Sequence, residues 1–318
     1  MAITIGQLQA ITHDLILNSL TDNVYQSAAG FRFFYGKREK HDGGLTISAP
    51  VIIGSIDDTT GGWYAGSEDL AGAEKDDISR ASVDWKQVQE TVLISMADIN
   101  KNGGGSGVLK LLASKVKIAE KRMKSRLGSG VFNDGAISNQ FGGLQLIVGS
   151  AAYGGLASTD ILDESGNDAW LAYIKSSAGT LTEPLMQLAF SKACEDSDKP
   201  DAAFMLQNAF NEVWGVLAAH QRIVVEDASF SGAGHDQSKV LQYNGIPHFI
   251  DSHMKSGAIY YVNSEYTKLH VHSAEDLKAQ SFKQLEDSNA VKERMLLMGN
   301  MFCVNRRANS SLEGITVV

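Results

Sequence analysis

Histidine is the residue type that offers this chain its plainest route to metal chemistry. His270 and His272 flank one valine, so on a β-strand both imidazoles lie on one face as two possible ligands. His248 and His253 come earlier in the chain, and no acidic residue or third ligand stands at a recognisable spacing. We therefore interpret these histidines as packing residues, and the sequence predicts neither a metal nor a cofactor.

Residues 103–107, Gly-Gly-Gly-Ser-Gly, precede a helical pattern and raise the question of a phosphate-binding loop. A P-loop needs Gly-Lys-Ser/Thr after its variable residues, whereas Gly107 is followed by Val108 and Leu109. The run is not the G-x-G-x-x-G of a dinucleotide-binding unit either. We interpret it as a flexible lead-in to the helix.

Nucleophiles and carboxylates form no catalytic pattern. No Gly-x-Ser-x-Gly elbow occurs, and Cys194 lies in a predicted amphipathic helix, which is typical of a core thiol. Cys194 and Cys303 lack a C-x-x-C partner, so neither a disulfide framework nor a structural zinc site is expected. Seven acids between 57 and 77 lie on a glycine-rich stretch, which does not hold an acid–base pair rigidly. The sequence predicts a protein that is not an enzyme.

The strongest structural signal is a helix predicted over 106–127, which we call the spine helix. Apolar residues recur at 108, 112, 116, 119, 123 and 127, in steps that form one helical stripe. Ser106 is the predicted N-cap and Gly128 the predicted stop. The rest of this helix carries seven lysines and arginines against the single acid Glu120.

Residues 30–95 predict a long protruding β-hairpin. Three stretches have the composition of strands: Phe31–Tyr35, 45–53 and 84–94. The acidic residues between 57 and 77 separate the second stretch from the third. A hairpin too long to pack on its own domain needs another chain to cover it. Residues 1–29 precede it with Leu8, Ile11 and Leu15 spaced like a short helix, either docked on its own core or reaching a neighbouring chain.

The remaining chain predicts an α+β domain without repeats or linkers. Helices are predicted at 182–194, with Pro184 in the first turn, and at 202–219. Strands are predicted at 142–148, 240–243, 248–250, 259–262, around 295–305 and at 312–317, with a tight turn at Asn244-Gly245.

Composition and charge narrow the functional class. The chain of 318 residues is 43% hydrophobic, which is enough for a substantial core. Its net charge of −9 argues against a general nucleic-acid binder but leaves room for one basic surface. No apolar run approaches the ~18 residues of a membrane span. A soluble protein made in a cytoplasm, with no membrane partner, is expected.

Several short stretches stand in a recurrent order. They are 63–66 (Trp-Tyr-Ala-Gly), 84–86 (Asp-Trp-Lys), 153–156 (Tyr-Gly-Gly-Leu) with Trp170, 244–251 (Asn-Gly-Ile-Pro-His-Phe-Ile-Asp), 260–263 (Tyr-Tyr-Val-Asn), and a stretch from Gly-Asn at 299–300 to Arg-Arg at 306–307. Residues 1–29 would form an N-terminal arm ahead of the hairpin and the spine helix. Together with the order of these stretches, this arrangement resembles that of the major capsid proteins of tailed double-stranded-DNA bacteriophages, which have the Hong Kong 97-type fold. The resemblance spans nearly the whole chain.

The resemblance implies a division into parts. They are an N-terminal arm (1–29), an extended β-hairpin loop (30–95), a peripheral domain with the spine helix (96–140), an axial domain (141–260) and returning peripheral strands (261–318).

The resemblance also implies a function: a structural protein that self-assembles, as hexamers and pentamers, into the icosahedral head shell around phage double-stranded DNA. Its further partners would be the portal and scaffolding or decoration proteins, in a virion assembled in the host bacterial cytoplasm. Two alternatives stay open, an encapsulin-like compartment shell and a soluble α+β enzyme with an unrecognised site.

Two sets of contact residues follow as hypotheses. The bases Lys117, Lys121, Lys124 and Arg126 meet either the acids Asp69, Glu74 and Asp76 of a neighbour's loop or the packaged DNA. A solvated helix face is the third alternative. Leu8, Ile11 and Leu15 would contact a neighbouring subunit.

Overall fold

A computed structural model describes residues 28–52, 63–69, 78–101, 105–162, 167–194, 198–218, 241–280, 282–285 and 288–317. Its α-helices are α1 Ala29–Gly36, α2 Met96–Lys101, α3 Gly105–Val131, α4 Leu144–Val148, α5 Glu183–Lys192 and α6 Gln207–Ala218. Its strands are β1 Glu39–His41, β2 Thr46–Ile52, β3 Ile78–Asp84, β4 Lys86–Ser95, β5 Tyr173–Lys175, β6 Ala202–Met205, β7 Gln242–Tyr243, β8 Ile246–Ile250, β9 Ile259–Val262, β10 Thr267–His272, β11 Lys278–Ala279, β12 Lys283–Gln284, β13 Ala290–Cys303 and β14 Ser310–Leu312.

These strands form two larger sheets and one ribbon. In the first sheet, which we call the central sheet, β13 is the long middle strand. β10, β11, β12 and β4 all pair with it antiparallel, and β1 joins parallel to β10. The second sheet has the order β5-β14-β9-β6-β8-β7, and β2 and β3 pair only with each other. The mixture of helices and mainly antiparallel strands confirms the predicted α+β class.

The spine helix packs its predicted stripe into the core. Five side chains of the stripe are each at most 4% exposed: Leu112, Val116, Ala119, Met123 and Leu127. Two predictions about its ends were wrong. The helix includes Gly105, so Ser106 lies inside it, and it passes through Gly128 to Val131. Gly128 is there for close packing, because a Cβ at this position would lie 2.7 Å from the ring of His253.

Phe31–Tyr35 forms the helix α1, and the strand prediction for it was wrong. Aromatic residues favour strands when they are considered alone, but Phe31, Phe34 and Tyr35 fall on one helical face and are all buried. The buried carboxylate of Asp251 accepts the Gly30 amide at 2.9 Å at the start of the helix. A carboxylate at this end also suits the helix dipole.

Three further predictions need correction. Residues 144–148 form the short helix α4 instead of a strand, and the predicted helix at 202–219 begins with strand β6 before α6. The predicted strand 84–94 is divided at Trp85 between β3, which pairs with β2, and β4, which pairs with β13. The Asn244-Gly245 turn is confirmed, because both residues have the positive φ that such a turn needs.

Arg306 lies between β13 and β14 and is completely buried. Its guanidinium donates to the carbonyls of Leu146 (3.3 Å), Ile147 (2.7 Å), Gly149, Ala151 (3.0 Å) and Trp170 (3.1 Å). Three of these residues lie at the C-terminal end of α4, where helical carbonyls lack partners and a cation suits the helix dipole. One side chain therefore caps α4 and fixes the link between the two large sheets.

Replacing Arg306 by methionine should lower the free energy of unfolding by about 3–5 kcal/mol, because five carbonyls lose the guanidinium and its contacts with those of Ile147 and Trp170 are buried. Arg307→Met, one residue along and half-buried, should change it by less than about 1 kcal/mol. Chemical denaturation of both variants measures the difference. Equal losses would contradict the special role of Arg306.

Candidate assembly surface

The ribbon of β2 and β3 is anchored at its root. The two strands run in register from Thr46 opposite Asp84 to Ile52 opposite Ile78. At the root, the amide of Ser82 donates to the Gly154 carbonyl at 2.9 Å. Gly154 has φ +65°, and a Cβ there would lie 3.1 Å from that of Ala81. The backbone at Gly154 therefore approaches β3 closely, and this contact fixes where the ribbon leaves the body.

Asp276 holds the chain immediately before the ribbon. It accepts hydrogen bonds from the Tyr35 hydroxyl and from Arg38 (3.1 Å to Nη2) and pairs with Lys40 at 2.8 Å. Burial alone would raise the pKa of Asp276, but hydrogen bonds from Lys40 and Tyr35 and the charges of Arg38 and Lys40 lower it below its usual value. The carboxylate is therefore ionised at neutral pH, and it ties residues 35–40 to the central sheet.

The far part of the ribbon exposes apolar surface. Ile52 and Ile78, which face each other in the last described pair, are 74% and 65% exposed. Trp63 is fully exposed and Tyr64 is 66% exposed in the described segment 63–69. A two-stranded ribbon is marginally stable without a partner. Exposed aromatic and aliphatic groups on a ribbon without a partner suit a protein-binding surface.

The six bases of the spine helix whose side chains the structure describes divide into two groups. On the side of β4, Arg126 Nε lies 3.0 Å and Arg122 Nη1 3.7 Å from the carboxylate of Glu90, which is only 6% exposed. Lys115 lies on the same side, 3.1 Å from the Leu93 carbonyl. Arg126, predicted as an inter-subunit or DNA contact, thus has a partner in its own chain.

The second group contains Lys117, Lys121 and Lys124. Lys117 and Lys121 are exposed, and within the described part of the chain no carboxylate pairs with either. Lys124 is half-buried, and burial is the main cause of its lowered pKa, which Lys121 lowers further and Glu120 raises. These side chains form a basic strip that is available to a partner.

Of the other predicted contact residues, the structure describes only Asp69. Asp69 is exposed in the segment 63–69. Glu74, Asp76, Leu8, Ile11 and Leu15 lie outside the described residues. The pairing of the two charge groups and the contacts of the arm stay predictions.

The two cysteines and the buried His248 have environments that disfavour reactivity. Burial raises the pKa of the Cys194 and Cys303 thiols, so thiolate is scarce at neutral pH. Burial lowers the pKa of His248 to about 4, which keeps it neutral. No helix in the described ranges is both long and apolar enough to cross a membrane.

Similarity to solved structures decides the fold. The chain is similar to a chain of the cyanophage A-1(L) capsid asymmetric unit, with a TM-score of 0.64 and 13% identity over 92% of this chain and 93% of that one. It is similar to the capsid of a native GTA particle, with a TM-score of 0.60 and 14% identity over 92% and 91% of the two chains. The chain has the Hong Kong 97-type capsid fold.

The same fold links the chain to a third kind of structure. The holo-SrpI encapsulin complex from Synechococcus elongatus matches with a TM-score of 0.53 and 10% identity over 90% of this chain and 88% of that one. No protein-family model matches the chain, and neither does any curated protein. Identities this low establish the Hong Kong 97-type fold alone, so function has to be argued from the surfaces.

Sequence reasoning missed Glu90, although the sequence contained a signal. Every second side chain of β4 points towards the core, and these positions hold Val88, Glu90, Val92 and Ile94. One acid therefore stands where the pattern has an apolar residue. A carboxylate at such a position requires a cationic partner, and the neighbouring helix supplies two.

Arg126→Ala should therefore lower the free energy of unfolding of the single chain by about 1–3 kcal/mol, because Glu90 is left buried without its nearest cation. Lys121→Ala, on the exposed strip of the same helix, should change it by less than about 0.5 kcal/mol. Urea denaturation under conditions that keep the protein dissociated measures both. The reverse order would show that the two groups are wrongly assigned.

Proposed function

We propose that this chain is the major capsid protein of a tailed double-stranded-DNA bacteriophage, self-assembling into an icosahedral head shell. The observation that carries the proposal is the ribbon, which leaves a Hong Kong 97-type body with its root fixed and its apolar residues exposed. The capsid chains named above match over more than 90% of this chain, so the fold likeness includes the whole body.

The physical argument concerns what would cover the ribbon. Ile52, Ile78, Trp63 and Tyr64 leave most of their side-chain surface in water. Burial of apolar surface stabilises by roughly 25 cal/mol per Å², and aromatic residues often dominate interfaces. A second copy of the chain is the partner that an assembling shell supplies at every ribbon. Self-association therefore explains the exposed groups.

Further partners belong to the same proposal. The shell would consist of hexamers and pentamers, enclose double-stranded DNA, join a portal and bind scaffolding or decoration proteins. It would be assembled in the host bacterial cytoplasm and stay in the virion as a non-enzymatic component. The parts would be the arm (1–29), loop (30–95), peripheral (96–140 and 261–318) and axial (141–260) regions. Within the loop region, β2 and β3 would form the extended part, since α1 is buried and β4 pairs with β13.

The basic strip of the spine helix has two proposed partners. One is the acidic loop of a neighbour, with Asp69, Glu74 and Asp76, and the other is packaged DNA. Exposed single ion pairs contribute only about 0–1 kcal/mol, but a cluster repeated in every subunit can fix register. Leu8, Ile11 and Leu15 of the arm are proposed to contact a neighbouring subunit.

An encapsulin-like shell is the second candidate function, and the likeness to the SrpI encapsulin complex favours it. Such a compartment would enclose protein cargo in place of DNA. Particles purified from the producing cells distinguish the two after nuclease treatment. Protected double-stranded DNA supports the phage capsid, whereas protected protein cargo without DNA supports the compartment.

Size-exclusion chromatography with light scattering tests self-assembly of the expressed full chain. The proposal predicts elution as capsomers or particles. A stable monomer or small oligomer under all assembly conditions would contradict it and favour a soluble enzyme.

The double substitution Ile52→Ser with Ile78→Ser should leave the melting temperature of the free chain nearly unchanged, since both side chains are exposed. It should reduce particle yield by at least about tenfold, because each ribbon loses apolar contact with its neighbour. Leu188→Ser on α5, also exposed at 41%, is the matched control. Normal particles from the double variant would contradict the role of the ribbon.

Reversing Lys117, Lys121 and Lys124 to glutamate should block formation of empty shells if these bases meet a neighbour's loop. Adding Asp69→Lys, Glu74→Lys and Asp76→Lys in the same chain should partly restore assembly. Reversal of Lys278, Lys283 and Lys292 provides an equal change of charge elsewhere. A spine variant that builds normal empty shells but packages DNA poorly would instead place the bases against the genome.

A further inference from the structure

Three side chains with metal-binding atoms meet where β1 pairs with β10. Glu39, His41 and His270 each offer one ligand atom, and these atoms all lie within 4.8 Å of one another. The strands are parallel, with Glu39 opposite His270 in the register. The His41 Nε2 and His270 Nδ1 atoms lie 2.7 Å apart.

Packing alone does not require this combination. His270 is 8% exposed, whereas a neutral apolar residue would fill a core position without a polar ring atom to satisfy. The cluster also lines a cavity of about 320 Å³ that borders Thr46 and Trp85, which leaves room beside the three side chains. Glu39 is exposed, so an ion can reach the cluster from solvent.

We propose that Glu39, His41 and His270 form a binding site for a divalent transition-metal ion, of which zinc fits best. Two imidazoles and one carboxylate are a ligand set that zinc favours, with a water molecule as the fourth ligand. The ligands come from two strands more than two hundred positions apart in the sequence. That separation explains why spacing along the chain does not indicate the site.

The ligand atoms need a small rearrangement to hold the ion. Two nitrogens on tetrahedral zinc lie about 3.3 Å apart, since Zn–N bonds measure about 2.0–2.1 Å. The imidazoles must therefore separate by about 0.6 Å from their hydrogen-bonded distance of 2.7 Å. The proton of this hydrogen bond must also move to the far nitrogen of its own ring, so that both facing nitrogens can bind the ion.

Lys268 is the competitor within the cluster. Its ammonium lies 3.6 Å from the Glu39 carboxylate, and that contact has to loosen when Glu39 turns to a metal ion. The bound ion would join β1, five residues before the ribbon begins at Thr46, to the central sheet through β10. The site would therefore fasten the root of the ribbon in addition to the Asp276 contacts.

Isothermal titration of the metal-free full chain with Zn²⁺, together with visible absorption on adding Co²⁺, tests the site. We expect one ion per chain and cobalt bands of tetrahedral type. His41→Ala and Glu39→Gln should each weaken zinc binding by at least about tenfold, because each removes a ligand. Both positions lie on the short edge strand β1, which pairs only with β10 among the described strands.

His272→Gln is the matched control, because this neighbouring histidine accepts the Ala274 amide at 3.2 Å and stands outside the cluster. It should retain full affinity, and Lys268→Met should tighten binding. The site is refuted if the unaltered chain binds neither ion at millimolar concentration, or if His41→Ala binds zinc as tightly as the unaltered chain does. Loss of binding in His272→Gln alone would equally overturn the assignment.

Discussion

A buried guanidinium without a carboxylate is the constraint on which the rest of this fold depends. Arg306 has no acidic partner within the described part of the chain, and backbone carbonyls satisfy its donors instead. Because those carbonyls belong to the end of α4, the following loop and Trp170, the cation fixes three segments around one point. Burial lowers the pKa of Arg306, yet arginine stays charged at any ordinary pH.

The body built around that point and the ribbon outside it differ in what they require. Helix α1, the spine helix and the central sheet bury their apolar residues within one chain, and Asp251 and Glu90 have local partners. Among the described residues, Gly154 holds the ribbon near its root, and Asp276 holds residues 35–40, which lead into it. A rigid root with an uncovered apolar end positions the surface for another subunit at small entropic cost.

Much of this organisation was predictable from the sequence because it depends on periodicity and turn chemistry. The stripe through Met123 and Leu127, the Asn244-Gly245 turn and the strand Ile259–Val262 all follow from local patterns.

The helix at Phe31–Tyr35 was missed because its stability comes from Asp251 and from tertiary packing, which outweigh the preference of aromatic residues for strands. Local sequence predicts a helix stop at Gly128, because the close packing of this glycine against His253 depends on a residue distant in the sequence. The candidate surface was predictable only as charge and apolar content, since whether a base such as Arg126 is free depends on Glu90 across the fold.

Electron cryomicroscopy of purified particles of the full chain would show directly what covers the ribbon. Assembly through the ribbon predicts an icosahedral lattice in which the ribbon of each subunit lies across a neighbour. In that lattice Ile52 and Ile78 would be buried between chains, and Arg306 would keep its carbonyl contacts. A reconstruction in which the ribbon folds back onto its own subunit, with those side chains still facing solvent, would contradict assembly through the ribbon.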